Sequence, residues 1–243
     1  MNALQWLLEG TIAIPSWELP FSGVIVPASA LLVREVVGNG FGLLSAVGGM
    51  RRQVWAWPVG IVGNLLLFTV FVGGIFDKPQ AHDLWGQAGR QVFFLVLSLY
   101  GWWRWQRSKR AQSDPGQGAI TPGWAGLRGW AELLGFAVLG TVVFYFVLRA
   151  LGSWGPLPDA WILTGSILAT YGMARGWTEF WLIWIAVDAV GVPLLFRAGY
   201  YPSAVLYLVY GGFCLVGFAA WLRARRNAGL TDHHRHANEK VTA

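Results

Sequence analysis

Residues 180–188 read FWLIWIAVD, and residues 57–64 read WPVGIVGN. In each, a tryptophan (Trp181, Trp57) is followed seven residues later by a small polar side chain, Asp188 or Asn64. The agreement extends outward in both directions. Glu35 precedes Trp57 by 22 residues, and Asp159 precedes Trp181 by the same interval. Downstream, Gln91, Gly101 and Trp105 keep the spacing of Tyr207, Gly217 and Trp221. The offset between copies is 124 through the second apolar segment and 116 in the third, so one copy has a loop eight residues shorter. In an apolar chain, two copies of a three-segment unit predict a transporter built from repeats, with its substrate site where they meet.

Composition places the chain in a membrane. It is 55% hydrophobic and 12% charged over 243 residues, with a mean hydropathy of +0.48, whereas a soluble domain carries roughly 25% charged residues. The single cysteine, Cys214, falls in an apolar stretch, so no disulfide forms within the chain. The net charge of +6 and pI of 9.8 do not point to nucleic acid, because the basic residues sit in the short loops between apolar runs.

Apolar spans are predicted at 30–49, 55–76, 84–105, 130–151, 159–175, 178–197 and 200–222, each near the roughly 20 residues that cross a bilayer core. The expected organisation is an interfacial amphipathic N-terminal helical segment over 1–22, a first three-helix unit over 23–106, a linker and connecting fourth helix over 107–157, a second three-helix unit over 158–222, and a disordered cytoplasmic tail over 223–243. Placing the N-terminus outside puts thirteen of the eighteen lysines and arginines on the inner side, which predicts an external N-terminus and a cytoplasmic C-terminus. Three helices reverse the direction of the chain, so a second unit can lie parallel to the first only after one extra crossing. The fold class is therefore all-α integral membrane, with seven transmembrane helices in a 3+1+3 arrangement of parallel repeats.

At 100° per residue, Trp181, Trp184 and Asp188 share one helix face, and an acid inside a membrane helix normally faces a cavity or a partner. The equivalent face of the first copy carries Trp57, Gly60 and Asn64. The third helices bring Gln91, Phe94 and Ser98 in one copy, and Tyr207, Tyr210, Gly211 and Cys214 in the other. Aromatic walls with amide, phenol and carboxylate groups suit a flat, polar ring, cationic rings included. Asn64, Gln91, Phe94, Trp181, Trp184, Asp188, Tyr207 and Tyr210 are the candidate substrate-binding residues.

Other features read as structural. Trp102, Trp103, Trp105 and Trp221, beside basic loops, are expected in the interfacial aromatic belt. Glu35 and Asp159 are expected to cap helices or pair with a neighbour. Pro193 is expected to kink its helix and free a carbonyl into the cavity. Catalysis is not expected: GxxxxGK[ST] is absent, none of the four histidines lies in a predicted span, and the run His233, His234, His236 reads as a solvated tail, with no metal or cofactor implied.

WPVGIVGN (57–64), QVFF (91–94), YGWWRW (100–105), FWLIWIAVD (180–188) and GYYPSAVLY (199–207), in this order, resemble the PnuC family of bacterial vitamin-precursor transporters. The resemblance implies a SWEET-like 3+1+3 fold, a homotrimer in the bacterial inner membrane, and facilitated diffusion of nicotinamide riboside as small-molecule substrate for NAD biosynthesis, retained by phosphorylation in the cytoplasm. The family's binding pattern falls on Asn64, Gln91, Trp181, Trp184, Asp188 and Tyr207. Two positions depart from it: Arg90 stands where an apolar residue is expected, and Gly191 stands where a larger side chain is usual. Relatives of this type are associated with thiamin, riboflavin or nucleosides, so these are the alternative substrates.

Overall fold

The structure is a computed structural model that describes residues 3–18, 23, 25–26, 29–71, 85–112, 116, 118–153, 155–197 and 201–241. Within them lie eight helices: α1 (Ala3–Glu9), α2 (Val33–Met50), α3 (Ala56–Phe71), α4 (Trp85–Arg110), α5 (Gly126–Ala150), α6 (Pro156–Arg175), α7 (Phe180–Arg197) and α8 (Tyr201–Val241). The seven from α2 onward fall on the seven predicted apolar stretches. The eighth, α1, has seven residues, about 10 Å at 1.5 Å per residue, too short to cross a bilayer.

The N-terminal segment differs from the amphipathic helix expected over 1–22. After α1, β1 (Thr11–Ile14) pairs antiparallel with β4 (Ser29–Leu32), and β2 (Trp17–Glu18) pairs with β3 (Ile25–Val26). Pro15 disfavours a helix interior because it lacks an N–H and clashes with the preceding turn, and β-branched Thr11, Ile12, Ile14, Ile25 and Val26 favour strands. The paired ribbon crosses the expected boundary at 22/23, and the first three-helix unit starts at Val33. At the other end, the chain expected to be a disordered tail from 223 continues α8 to Val241.

Two helices, α5 and the Ala204–Ala228 part of α8, are long and apolar enough to cross a membrane by length and composition. Leu127, Phe136, Val138, Leu139 and Phe146 of α5 are all exposed, a surface suited to lipid rather than water. Glu35 accepts a hydrogen bond from the backbone N–H of Leu32, the N-cap of α2, and Asp159, in the first turn of α6, accepts one from Ser153 Oγ, so Glu35 caps its helix and Asp159 pairs with a neighbour, the two roles expected.

The turns that follow α2 and α6 are the same turn, bond for bond, at the offset of 124. Arg52 N–H donates to the Gly49 carbonyl and Gln53 N–H to that of Gly48; Gly176 N–H donates to the Met173 carbonyl and Trp177 N–H to that of Gly172. This is a Schellman-type helix end, with Arg52 at φ 57° and Gly176 at φ 76°. The next helix of each unit then opens on a tryptophan. Trp57 lies flat on Gly101, and Trp181 lies flat on Gly217, in contact too close for any side chain at either glycine. Trp105 meets Trp57 edge-on at 5.3 Å, and Trp221 meets Trp181 edge-on at 6.2 Å.

Trp105 and Trp221 are not belt residues. Both are fully buried, and each reaches into the other unit: Trp105 Nε1 donates to the Met173 and Ala174 carbonyls at 3.3 Å, and Trp221 Nε1 donates to the Gly49 carbonyl at 3.2 Å. Gly49 and Met173 are themselves equivalent positions and touch each other. In lipid, apolar burial does not drive helix association, so close packing and hydrogen bonds of this kind hold helices together. Composition cannot distinguish a belt indole from a buried one, whereas the glycine four residues before each tryptophan marks where the chains approach. Trp102 and Trp103 do remain exposed, as belt residues should.

The linker closes this end. Ala119 N–H donates to the Arg52 carbonyl at 2.7 Å, and Gly123 exchanges backbone bonds with Gly176 and Thr178 at 3.0 and 2.8 Å. Ala119 and Ile120 thereby join the buried aromatic cluster of Trp57, Trp105, Phe180, Trp181 and Trp221.

Candidate functional site

Gln91, Phe94 and Ser98 recur at helical spacing on one face of α4, as do Trp184, Asp188 and Gly191 on α7, and Tyr207, Tyr210, Gly211 and Cys214 on α8. The fold turns parts of these faces toward one another. The rings of Phe94 and Trp184 lie 6.3 Å apart at 55°, joining α4 of the first unit to α7 of the second. Asp188 faces Gly211: a Cβ built there would stand 3.4 Å from Oδ2. Tyr207 lies on Gly191, where a built Cβ would be 2.6 Å from Cε1 of its ring. Arg90 places its guanidinium carbon 5.8 Å from the centre of the Phe94 ring and donates from Nη1 to the Tyr207 hydroxyl at 3.3 Å.

Two acceptors at this level are buried and unfilled. Gln91 is 2% exposed and Asp188 8%, yet neither Gln91 Oε1 nor Asp188 Oδ2 has a hydrogen-bond partner among the described residues. Leaving such an oxygen unpaired costs about 1–3 kcal/mol, and natural structures rarely tolerate it without reason. A ligand with N–H or O–H donors would fill both.

Not every predicted residue joins this group. Trp181 is in the inner aromatic cluster, packed against Gly217, Phe180 and Phe213, and its indole N–H has no partner among the described residues. Asn64 is half-buried on α3 and makes no hydrogen bond with the group among the described residues. Tyr210 does join it: half-buried, it lies close enough to Asp188 and Tyr207 to interact electrostatically with both, and its hydroxyl is 3.6 Å from where a Cβ would stand on Gly42 of α2. The carbonyl that Pro193 frees belongs to Ala189, four residues earlier. Ala189 and Pro193 both line a cavity of about 450 Å³ at the other end of the helices, with Gly155, Pro158 and Arg197. Pro193 is thus placed at that cavity and not among the Asp188 group. A second cavity, about 230 Å³, lies between α5, α6 and α7 beside Trp161 and Leu168. Among the described residues, no three His, Cys, Asp or Glu side chains are placed to hold a metal ion; the side chains of His233, His234 and His236 lie outside the described residues.

Arg90 and Gly191 are the members that motif spacing did not select. One signal was present in the sequence: an arginine six residues into a predicted span is costly in lipid and is normally aimed inward at a partner or a cavity.

A profile of the nicotinamide mononucleotide transporter family matches residues 32–223, which include both three-helix units. The chain is 39% identical over 200 residues to the riboflavin/roseoflavin transporter RibM of Streptomyces davaonensis, covering 80% of this chain and 87% of that one. It is 24% identical over 220 residues to the nicotinamide riboside transporter PnuC of Escherichia coli K12, again covering 80% and 87%. Its fold is similar to the crystal structure of the vitamin B3 transporter PnuC, with a TM-score of 0.62 at 20% identity over 80% of this chain and 82% of that one. The chain thus belongs to the nicotinamide mononucleotide transporter (PnuC) family of multi-pass membrane vitamin transporters.

Proposed function

We propose that this protein carries riboflavin, or a neutral flavin close to it, down its concentration gradient across the bacterial inner membrane. The observation that carries the reading is the pair of buried, unfilled acceptors on Gln91 and Asp188 beside the facing rings of Phe94 and Trp184. A flavin presents what such a site lacks: a flat ring for the aromatic pair, a ring N–H, and ribityl hydroxyls as donors. Similarity to a riboflavin transporter at 39% identity, against 24% to nicotinamide riboside transporters, supports the same choice. A second reading, nicotinamide riboside, is favoured by Asp188, since a carboxylate beside aromatic faces compensates a fixed ring charge.

In this reading α2–α4 and α6–α8 are parallel repeats joined by α5, seven helices cross the bilayer, and the protein works as a homotrimer. The equivalent turns and reciprocal tryptophan bonds of the two units support the repeat. Phosphorylation in the cytoplasm would retain the substrate, because a phosphate brings about −1.5 to −2 charge. Liposomes containing only this protein should pass riboflavin in both directions without ATP or an ion gradient. Absence of flux, or uphill accumulation, would overturn the proposal. The basic residues set the orientation: a reporter fused after Arg226 should be cytoplasmic, and one inserted near Lys78, outside the described residues, should face outward.

A further inference from the structure

The two departures from the family pattern, Arg90 and Gly191, form one connected device. Gly191 lies one turn beyond Asp188 on α7, at the position equivalent to Leu67 of the first unit. Without a Cβ at 191, the Tyr207 ring lies directly on the α7 backbone: a methyl there would stand 2.6 Å from Cε1 and 2.8 Å from Cδ1, distances that real carbons do not reach. The ring so placed presents its hydroxyl to Arg90 Nη1 at 3.3 Å. Arg90 in turn lies over Phe94, whose ring faces Trp184. Gly191, Tyr207, Arg90 and Phe94 are therefore linked in sequence from α7 through α8 to α4.

The guanidinium has unused capacity. It is a rigid fork of five donors that stays charged in proteins. Its Nε is buried with no hydrogen-bond partner among the described residues. An intramembrane cation whose hydrogen bond among the described residues goes to a hydroxyl is an expensive arrangement to maintain without a ligand. A charged fork beside an aromatic pair selects ligands in two ways. It donates two parallel hydrogen bonds to adjacent acceptors on the edge of a flat ring, and it repels a ring that carries a fixed positive charge.

We propose that Arg90, held by Tyr207 on Gly191, is the specificity-determining residue of this transporter: it admits neutral rings with paired edge acceptors and rejects cationic rings. This rests on the riboflavin reading and deepens it. The isoalloxazine ring offers two such edges, N1 with O2 and O4 with N5, whereas the pyridinium of nicotinamide riboside offers a positive charge to the same fork. Arg90 and Asp188 then act in opposition on ring charge, so the chain can retain the carboxylate and still refuse the cation.

The test compares binding and liposome flux of riboflavin and nicotinamide riboside for the unaltered protein, Arg90→Leu, Arg90→Lys and Gly191→Ala, each checked for monodispersity. Arg90→Leu should lower riboflavin affinity at least tenfold and shift the ratio toward nicotinamide riboside. Arg90→Lys, which keeps the charge without the fork, should weaken riboflavin while still rejecting the cation. Gly191→Ala, which displaces Tyr207, should shift the ratio in the direction of Arg90→Leu by a smaller factor. If Arg90→Leu does not fold, the Lys and Ala variants still decide. An unchanged ratio in folded variants, with the unaltered protein carrying riboflavin, overturns the role of Arg90 alone. An unaltered protein that carries nicotinamide riboside and not riboflavin overturns the functional reading and the selectivity with it.

Discussion

The two three-helix units agree at one end and disagree at the middle. At the turns after α2 and α6 they match bond for bond, and their tryptophans lock onto equivalent glycines and into each other's carbonyls. Two or three helical turns further on, the equivalent positions hold different chemistry: Asn64 against Asp188, Gln91 against Tyr207, Leu67 against Gly191, Arg90 against Leu206. Packing shows the same change of style. Gly63 accommodates Phe41 in the first unit, while in the second the small residue moves to the partner helix, and Gly165 accommodates Val187. Two units that interlock have to stay compatible where they meet. Where a single asymmetric ligand is bound, equivalence would be a handicap.

The interlocked end should be the most sensitive to substitution. Gly101→Val or Gly217→Val would drive a side chain into the indole of Trp57 or Trp181. Overpacking a closed site costs typically 1–3 kcal/mol and occasionally more, so each should lower stability by about 3 kcal/mol, and by similar amounts if the two locks are equivalent. The measurement is the thermal unfolding and yield of monodisperse protein. A large effect at Gly217 with none at Gly101 would break the comparison.

At the middle level the same exchange should have unequal effects. Asp188→Asn removes a buried carboxylate whose Oδ2 is unfilled, and hydrogen bonds to charged groups contribute about 1.5–3 kcal/mol, on the order of 10- to 100-fold in affinity. Riboflavin binding should fall within that range, while Asn64→Asp, at the equivalent position outside the contact group, should change it less than about threefold. The pair also separates the two substrate readings. If Asp188 compensates a ring charge, Asp188→Asn should weaken nicotinamide riboside far more than a neutral analogue of the same shape. If binding of both is untouched in folded protein, the carboxylate is structural.

Spacing revealed the scaffold because scaffold contacts repeat. The intervals from Trp57 to Trp105 and from Trp181 to Trp221 are the footprint of the tryptophan-on-glycine locks, so the helix positions and the correspondence between units could be read without coordinates. Burial could not. Trp105 and Trp221 have the composition and setting of belt residues, and only the approach of the other unit's helix ends removes them from lipid. Trp181 was drawn into the candidate site by sharing a helix face with Asp188, although the first turn of α7 lies at the interlocked end. Arg90 and Gly191 were visible as departures. Their connection was not, because it runs through Tyr207 on a third helix, and no local pattern encodes a contact between residues 117 apart.

The smallest expected effect tests the matching turns most finely. Arg52 and Gly176 occupy the same left-handed position, φ 57° and φ 76°, a conformation that costs a side chain roughly 1–2 kcal/mol and glycine almost nothing. Arg52 is retained there with some compensation: its Nη1 donates to the Ile120 carbonyl at a long 3.4 Å, and its side chain packs on Gly118. Against this, burial pushes the guanidinium pKa below its ordinary value. Arg52→Gly relieves the backbone and removes the desolvated charge but gives up one weak bond and adds chain entropy, so the terms nearly cancel and stability should change by less than about 0.5 kcal/mol. Gly176→Ala has no such offset. Its new Cβ would enter the left-handed region and stand 2.6 Å from Ile120 Cδ1, which should cost about 2 kcal/mol. Thermal unfolding of the two variants side by side decides the matter: equal losses would mean that the side chain of Arg52 holds the linker as firmly as the glycine does, and that the two turns share hydrogen bonds without sharing their energetics.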